Sequence, residues 1–256
     1  MGGPTSPGGR PVNERVCGLS AAMRAARFVF GPNRRSRHRL APQESRTMDN
    51  PLPLGPSEIV PDRPFTHPER SAEDLARLRH IAQRLRLVLS QPRTWPNDPS
   101  PLILNLQEAD GRAHRIVIAR RAELLTVRTL TVVGFFGQKR PEADVAPLSA
   151  VDDELIREFP QHPYVLSYCS LLLEDGNWGN SVLLNAPEAR EHWRTSPRHQ
   201  YAARELAPSY YATLRLHNAV LSGGLLAGND WKLLRTKYYD FQGATPWHAI
   251  REFAAD

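Results

Sequence analysis

The stretch Tyr164–Leu184, YVLSYCSLLLEDGNWGNSVLL, contains two apolar runs separated by Asp175-Gly176-Asn177. The runs, Tyr164–Glu174 and Trp178–Leu184, have the length of ordinary strands and are rich in Leu, Val and Tyr. A short connection of Asp, Gly and Asn is typical of the tight turn between antiparallel strands. The stretch therefore predicts a β-hairpin.

Predicted helices and strands lie on both sides of this hairpin in the sequence, and their order indicates the fold class. A strand and a helix are predicted before it, and a helix and a strand after it. Their bounds are Val127–Gly137, Ala150–Phe159, Pro187–Ala207 (with Asn185 as its N-cap) and Tyr210–Leu221. The order β-α-β-β-α-β is that of the ferredoxin-like unit. The sequence thus predicts an α+β protein whose core unit spans about residues 127–221.

Further elements extend this unit on both sides. Ser71, followed by Asp74, resembles a capping box, and apolar residues continue at helical spacing up to Gln91-Pro92. The other predicted elements are strands at Leu102–Leu106 and Arg115–Ile118 around the turn Asp110-Gly111, a strand at Lys232–Phe241 and a helix from Pro246. We therefore expect a single α+β barrel domain over residues 67–256. It has an N-terminal helix plus β-hairpin extension and an appended C-terminal strand and helix.

Residues 1–66 differ in composition from the rest of the chain. Residues 1–50 hold nine of the 33 Lys and Arg and three of the 27 Asp and Glu, and ten of the 23 prolines lie at or before Pro64. Such a segment buries too little apolar surface to offset the entropy of ordering it. We therefore predict a disordered, basic, Pro/Arg-rich segment over 1–66.

The basic run Arg34–Arg39 leaves three interpretations open. It is compatible with an arm that binds nucleic acid or another anionic surface, and with a solvated tail. If translation starts at Met48 rather than Met1, the run is not part of the protein. Residues 51–256 hold 24 basic and 24 acidic side chains. Because a neutral domain has no long-range field that attracts phosphates, we expect no nucleic-acid role for the folded domain.

Composition and motifs exclude several protein classes. The chain has 256 residues, a mass of 28.8 kDa and a mean hydropathy of −0.47, and no apolar run approaches the ~18 residues that span a bilayer. Cys17 and Cys169 are too few for a disulfide scaffold or a four-cysteine zinc site. Phosphate-binding glycine motifs and His-Glu-x-x-His are absent from the sequence. We therefore expect a cytoplasmic protein with no metal site and no membrane partner.

Alternation along the strands predicts a candidate site. With a period of two, Tyr168 and Ser170 share one face of their strand, and Tyr211, Arg215 and His217 share one face of theirs. If the purely apolar faces cover the helices, these five side chains line a common cavity, which Trp178 and Asn180 join from the hairpin. His217 is then a candidate acid or base and Arg215 a charge partner for an aromatic or anionic small molecule. The alternative is that Arg215 and His217 are satisfied structural residues at a dimer interface.

The segment Glu191–His199, EHWRTSPRH, lies in the second helical region of the core unit. It resembles the Trp-x-x-Ser-Pro-x-His stretch of the dimeric α+β barrel superfamily, especially its antibiotic-biosynthesis-monooxygenase-like members. The resemblance covers about residues 127–221. It implies a homodimer, a small-molecule ligand and a cofactor-independent monooxygenase-like activity, and it adds Trp193 and His199 to the substrate-binding candidates.

Two other functions remain open at this stage. Heme-degrading relatives carry a Trp on the second helix and a heme-ligating His ten residues later; Trp193 matches, but Ala203 stands where that His is expected. No cofactor is therefore predicted, with heme as the alternative. The other possibility is a non-enzymatic dimerisation or regulatory module.

Overall fold

The structure, a computed structural model, describes residues 51–92, 94–95, 100–189, 195–227 and 229–253. The predictions for residues 1–50 and for Trp193 lie outside these residues. The described strands are β1 (Leu52–Leu54), β2 (Leu102–Gln107), β3 (Ala113–Ile118), β4 (Thr129–Lys139), β5 (Val165–Leu172), β6 (Trp178–Leu184), β7 (Tyr211–Ser222), β8 (Asp230–Asp240) and β9 (Trp247–Glu252). They form one sheet in the order β1-β9-β8-β7-β4-β6-β5-β3-β2. All neighbours in it are antiparallel except β1 and β9.

Helices accompany the sheet on both faces. They are α1 (Pro68–Ser90), α2 (Arg121–Thr126), α3 (Ala146–Glu158), α4 (Pro197–Tyr201) and α5 (Ala207–Tyr210), with a π-helical turn at Ala202–Leu206. The α+β class predicted from the sequence is therefore confirmed. The sheet is larger than the four strands of the predicted unit. No helix among the described residues has both the length and the apolarity that crossing a bilayer requires.

The two faces of the sheet carry separate apolar cores. On the first face, α1 packs Leu78, Ile81 and Leu85 against the sheet, and we call this the α1 face. On the second face, Ile156 of α3 and Phe159 just after it pack against the other side of the sheet, and we call this the α3 face. α4 lies beside α3. Helices of the same chain therefore pack against both faces of the sheet.

The end of the chain corrects one prediction. The predicted helix from Pro246 is the strand β9, which pairs with β8 on one side and with β1 on the other. The residues of this segment are compatible with a helix. In β9, however, the side chains of Ala249 and Arg251 are buried and those of their neighbours are more exposed, which is the alternation of a strand. Pairing on both edges therefore outweighs local helix propensity.

The folded region begins earlier than predicted. Residues 51–66 belong to the predicted disordered segment, yet they contain β1 and a 3-10 turn at Pro64–Thr66. Arg251 accounts for this order, because its guanidinium donates to the carbonyl oxygens of Gly55 at 3.0 Å, Glu58 at 2.5 Å and Thr66 at 2.8 Å. This short proline-rich segment is thus held by hydrogen bonds from the last strand and by an apolar cluster in which Leu54, Val60 and Phe65 pack against β8 and β9.

The first helix begins earlier in the chain than predicted. α1 begins at Pro68, with His67 as its N-cap, rather than at Ser71. Ser71 and Asp74 are buried inside the helix instead of capping it. Asn185, predicted to cap the second helix, donates its side-chain amide to Glu123 at 3.0 Å.

Candidate functional site

The structure divides the predicted site residues between the two faces of the sheet. Side chains of directly paired residues project to the same face. His217 is paired with Gly134, whereas Tyr168 is paired with Val182, which is paired with Val133. Because residues 133 and 134 are consecutive, their side chains point to opposite faces. The α1 face therefore carries Arg215 and His217, and the α3 face carries Tyr168, Ser170, Trp178 and Asn180. The predicted common cavity is therefore wrong, because the pairing register places the two sets of side chains on opposite faces of the sheet.

Asp74 of α1 is the centre of the contacts that Arg215 and His217 make. Its carboxylate is fully buried and accepts from Arg215 Nε at 2.6 Å and Nη2 at 3.1 Å. His217 Nε2 lies 2.9 Å from the same carboxylate, and because a carboxylate only accepts, this nitrogen carries the proton. Arg77 adds a further contact at 3.1 Å. Burial raises the pKa of Asp74, but hydrogen bonds from His217 and Arg215 outweigh it and hold the net pKa below the ordinary value of 3.8.

The network continues from His217 across three strands. His217 Nδ1 accepts from the Thr236 hydroxyl at 2.9 Å, and Ser71 Oγ lies 3.4 Å from Thr236 Oγ1 and 3.2 Å from Tyr238 Oη. Tyr238 Oη in turn accepts from Arg251 Nη1 at 2.8 Å. We call this chain from Asp74 through His217, Thr236, Ser71 and Tyr238 to Arg251 the Asp74 network. It connects α1 to β7, β8 and β9.

The burial of the Asp74 network determines what it can do. Asp74, His217 and Thr236 are linked in the order carboxylate, imidazole, hydroxyl, as in a nucleophilic triad. However, Thr236 and Asp74 are 0% exposed and His217 is 1% exposed, so a substrate cannot reach the hydroxyl. This geometry favours the structural alternative for Arg215 and His217. Their partner is a helix of the same chain rather than a second protomer.

A second polar cluster lies on the α3 face. Arg115 of β3 forms an ion pair with Asp152 of α3, and its Nη2 lies 3.5 Å from Ser170 Oγ. The guanidinium carbon is 5.4 Å from the centre of the Tyr168 ring. The Tyr168 hydroxyl donates to Asn180 Oδ1 at 3.1 Å. Burial raises the pKa of Tyr168, so its hydroxyl stays protonated.

Tyr211 belongs to this second cluster and not to the Asp74 network. A register shift between Gln138 and Lys139 changes the pairing at the start of β7, and the Tyr211 ring covers Gly137, where any Cβ would collide with it. The ring also contacts Tyr210 edge-on, at 4.8 Å between centroids. Burial, Tyr210 and the charge of Asp152 all raise the pKa of Tyr211. We call the set Arg115, Asp152, Tyr168, Ser170, Asn180 and Tyr211 the α3-face cluster.

Two donors of the α3-face cluster are unused within the described residues. Tyr211 is 8% exposed and Asn180 is 4% exposed. Neither the Tyr211 hydroxyl nor the Asn180 amide nitrogen forms a hydrogen bond with the residues that the structure describes, although Asn180 accepts one through Oδ1. Buried polar groups nearly always have a partner. Both residues keep some exposed surface, so a molecule that reaches this face can accept hydrogen bonds from these donors.

The other candidates lie nearby or outside the described residues. His199 is half-buried on α4, and its backbone N–H donates to Ser196 Oγ at 3.3 Å, which caps that helix. Ala203, the position where the heme alternative expects a ligating His, lies in the π-helical turn and has no side-chain ligand atom. No group of three His, Cys, Asp or Glu in the described part of the chain is arranged to hold a metal ion. Burial raises the pKa of Cys169 to about 12, so its thiol is inert at neutral pH.

Glu108 is the centre of a third cluster, at the edge of the α1 face. Its carboxylate lies 2.6 Å from Nδ1 of the buried His114 and 3.0 Å from Nε2 of the exposed His80. Arg84 Nε lies 3.5 Å away. A surface cleft of about 420 Å³ is lined by His80, Gln83, Arg84, Leu87, Gln107, Glu108 and Ala109. Burial raises the pKa of Glu108, but hydrogen bonds from His114 and His80 outweigh it and leave the pKa below the ordinary 4.5.

We expect the protein to lose stability as the pH falls from about 7 to 5, with His114 contributing to the loss. Burial lowers the pKa of His114 below 6.5 and outweighs the opposing effect of Glu108. The unfolded chain therefore binds a proton at this residue at a higher pH than the folded chain does. The stabilisation that results is present above about pH 6.5 and is lost as the pH falls through the lowered pKa.

Melting temperatures at pH 7, 6 and 5 test this expectation. His114→Gln should show a smaller decline with falling pH than the unchanged protein. Gln107→Ala, a neighbouring change without a titratable group, should keep the full decline. An equal decline in His114→Gln and the unchanged protein would contradict the role given to His114.

Comparison with known proteins assigns the chain to no family: no family model matches the sequence, and no curated protein and no solved structure matches it.

Proposed function

We propose that the chain binds a small, neutral, oxygen-bearing aromatic molecule at the α3-face cluster. The observation that carries the proposal is the pair of nearly buried donors, the Tyr211 hydroxyl and the Asn180 amide, that no described residue uses. A carbonyl or hydroxyl oxygen that reaches either donor would accept a hydrogen bond from it. The rings of Tyr168 and Tyr211 offer aromatic surface on the same face.

The charges of the cluster favour a neutral ligand over an anionic one. Arg115 is the basic residue of the cluster, and it already pairs with Asp152, with Asp153 at 3.8 Å. The Asp152 charge acts on Arg115 and raises its pKa against the effect of burial. An anion would have to displace a carboxylate from Arg115, whereas a neutral acceptor uses only donors that are unused.

The ferredoxin-like assignment of residues 129–222 is part of this proposal. Its support is the element order and the strand order β7-β4-β6-β5, antiparallel throughout. The dimeric barrel form has less support, because α1 covers one face of this sheet and α3 the other. Pairing through the α1 face would require breaking the Asp74 network. We therefore place ligand binding ahead of a dimerisation module, and the monooxygenase-like activity stays a prediction.

Calorimetric titration with three probes tests the proposed ligand class. We expect 1-naphthol and 1,4-naphthoquinone to bind and naphthalene to bind more weakly, because only the first two offer an oxygen acceptor. Tyr211→Phe removes one hydroxyl and keeps the ring. At about 0.5–1.5 kcal/mol per hydrogen bond, it should weaken naphthol binding by about two- to tenfold.

The matched control is Tyr164→Phe, which removes a hydroxyl from a tyrosine that is 37% exposed. It should leave the affinity unchanged. Equal affinity for naphthalene and naphthol, or unchanged affinity in Tyr211→Phe, would refute the proposed site.

A further inference from the structure

The two edges of the sheet differ in how they are protected against pairing with another chain. At one edge, β1 has three residues, is preceded by Pro51 and contains Pro53, which lacks the N–H that pairing requires. At the other edge, β2 has six residues, Leu102–Gln107, without a proline or a charge. Among the described strands, β2 pairs only with β3. Apart from the Gln107 carbonyl, which accepts from Arg84 at 3.2 Å, one side of its backbone has no partner within the described residues and is open to a further strand.

The apolar core continues to this open edge. Leu102, Leu104 and Leu106 alternate onto the α1 face, pack against the core there and remain only half-buried. On the other face of β2, Ile103 is 48% exposed. Leu87 of α1, which lines the cleft beside Gln107, is also 48% exposed. A strand added beside β2 would cover the half-buried leucines and remove apolar surface from water.

The sequence of β2 is complementary to itself in one antiparallel register. If Leu104 of one copy lies opposite Leu104 of a second copy, Leu102 of each lies opposite Leu106 of the other. All three leucines then meet leucines on the α1 face, and Ile103 lies opposite Asn105 on the other face. A two-fold axis perpendicular to the sheet at Leu104 produces this arrangement and keeps the α1 faces of both copies on one side.

We propose that β2 is the interface of a homodimer, in which the two sheets join edge to edge through antiparallel β2 strands centred on Leu104. The occupant of the edge is a second copy of this chain because the strand meets its own leucines in this register and presents no charge that a different partner would recognise. The proposal is independent of the ligand site, which lies on the α3 face.

The solution mass provides the first test. Light scattering at micromolar concentration should give twice the 28.8 kDa of the chain. The double variant Ile103→Lys/Asn105→Lys changes two exposed residues, so folding is preserved, and it places lysines directly opposite one another in the dimer. It should give the monomer mass. Leu226→Lys, at an equally exposed leucine away from β2, should remain dimeric.

Cross-linking tests the register. In a Cys17→Ser background, Leu104→Cys should form a disulfide-linked dimer, because directly opposed residues have Cα atoms about 4.5–5.5 Å apart, within disulfide range. Leu102→Cys is the control: its two copies are about 14 Å apart along the strands and should stay reduced. A monomeric protein, or a dimer that persists in the double lysine variant, would overturn the proposal. Cross-linking through Leu102→Cys and not Leu104→Cys would overturn the register.

Discussion

Asp74→Asn is expected to lower the free energy of unfolding by about 3–5 kcal/mol, because it removes the buried carboxylate that pairs with Arg215 and accepts from His217. Arg215 and His217 both direct N–H groups at this carboxylate. An amide of the same size keeps one oxygen but turns an NH₂ group toward those donors. The loss should appear in urea unfolding as a lower midpoint with an unchanged slope.

The neighbouring Glu73→Gln is the matched control for this change. Glu73 lies one residue earlier on α1 and its contacts with Arg70 and Arg77 are solvent-exposed. Surface pairs of this kind contribute about 0–1 kcal/mol. A loss below about 1 kcal/mol in Asp74→Asn would show that the Asp74 network does not attach α1 to the sheet.

Arg251→Met is expected to cost about 4 kcal/mol and to release residues 55–66 from the fold. The guanidinium is 0% exposed and donates to three carbonyl oxygens of that segment and to Tyr238 Oη. Methionine fills much of the volume but leaves the carbonyls without donors. Each hydrogen bond to a charged group is worth about 1.5–3 kcal/mol, and the losses are not additive.

Hydrogen exchange distinguishes a local release from general destabilisation. In Arg251→Met, amides of residues 55–66 should exchange much faster while those of β4 keep their protection. Arg235→Met is the control, because Arg235 is one-third exposed and has a 3.9 Å contact to Glu252. It should leave amide exchange unchanged both in residues 55–66 and in β4. Unaltered exchange over 55–66 in Arg251→Met would contradict the anchoring role.

Local signals predicted the hairpins well. Trp178–Leu184 has the predicted bounds, and β2 and β3 lie on either side of the turn at Asp110-Gly111. In each case the turn residues and the adjacent apolar run specify the element without help from the rest of the chain. The strand β9 pairs with β8 and also with β1, almost 200 positions away, and no local pattern encodes the second of these contacts.

The site was less predictable than the fold, for two physical reasons. Alternation shows which residues of one strand share a face. Only the pairing register between strands shows which faces of two strands coincide, and the observed register places Tyr168 and His217 on opposite faces of the sheet. The sequence does contain a pattern that predicts the burial of Asp74, but the interpretation of Ser71 and Asp74 as a capping box does not use it. At helical spacing, Ser71 and Asp74 continue the buried stripe of Leu78, Ile81 and Leu85, which marks the carboxylate as buried and in need of a cation. The pairing of Arg115 with Asp152 had no local signal.

The parallel pairing of β1 with β9 has a consequence for biosynthesis. Residues 55–66 leave the ribosome before the arginine that binds their carbonyls, which lies between 185 and 196 positions later in the chain. At elongation rates of about 5–20 residues per second, the early segment waits on the order of ten seconds or more for its partner. A nascent chain stalled before Arg251 therefore exposes these carbonyls and the unpaired edge of β8, and it should be far more sensitive to protease than the released chain.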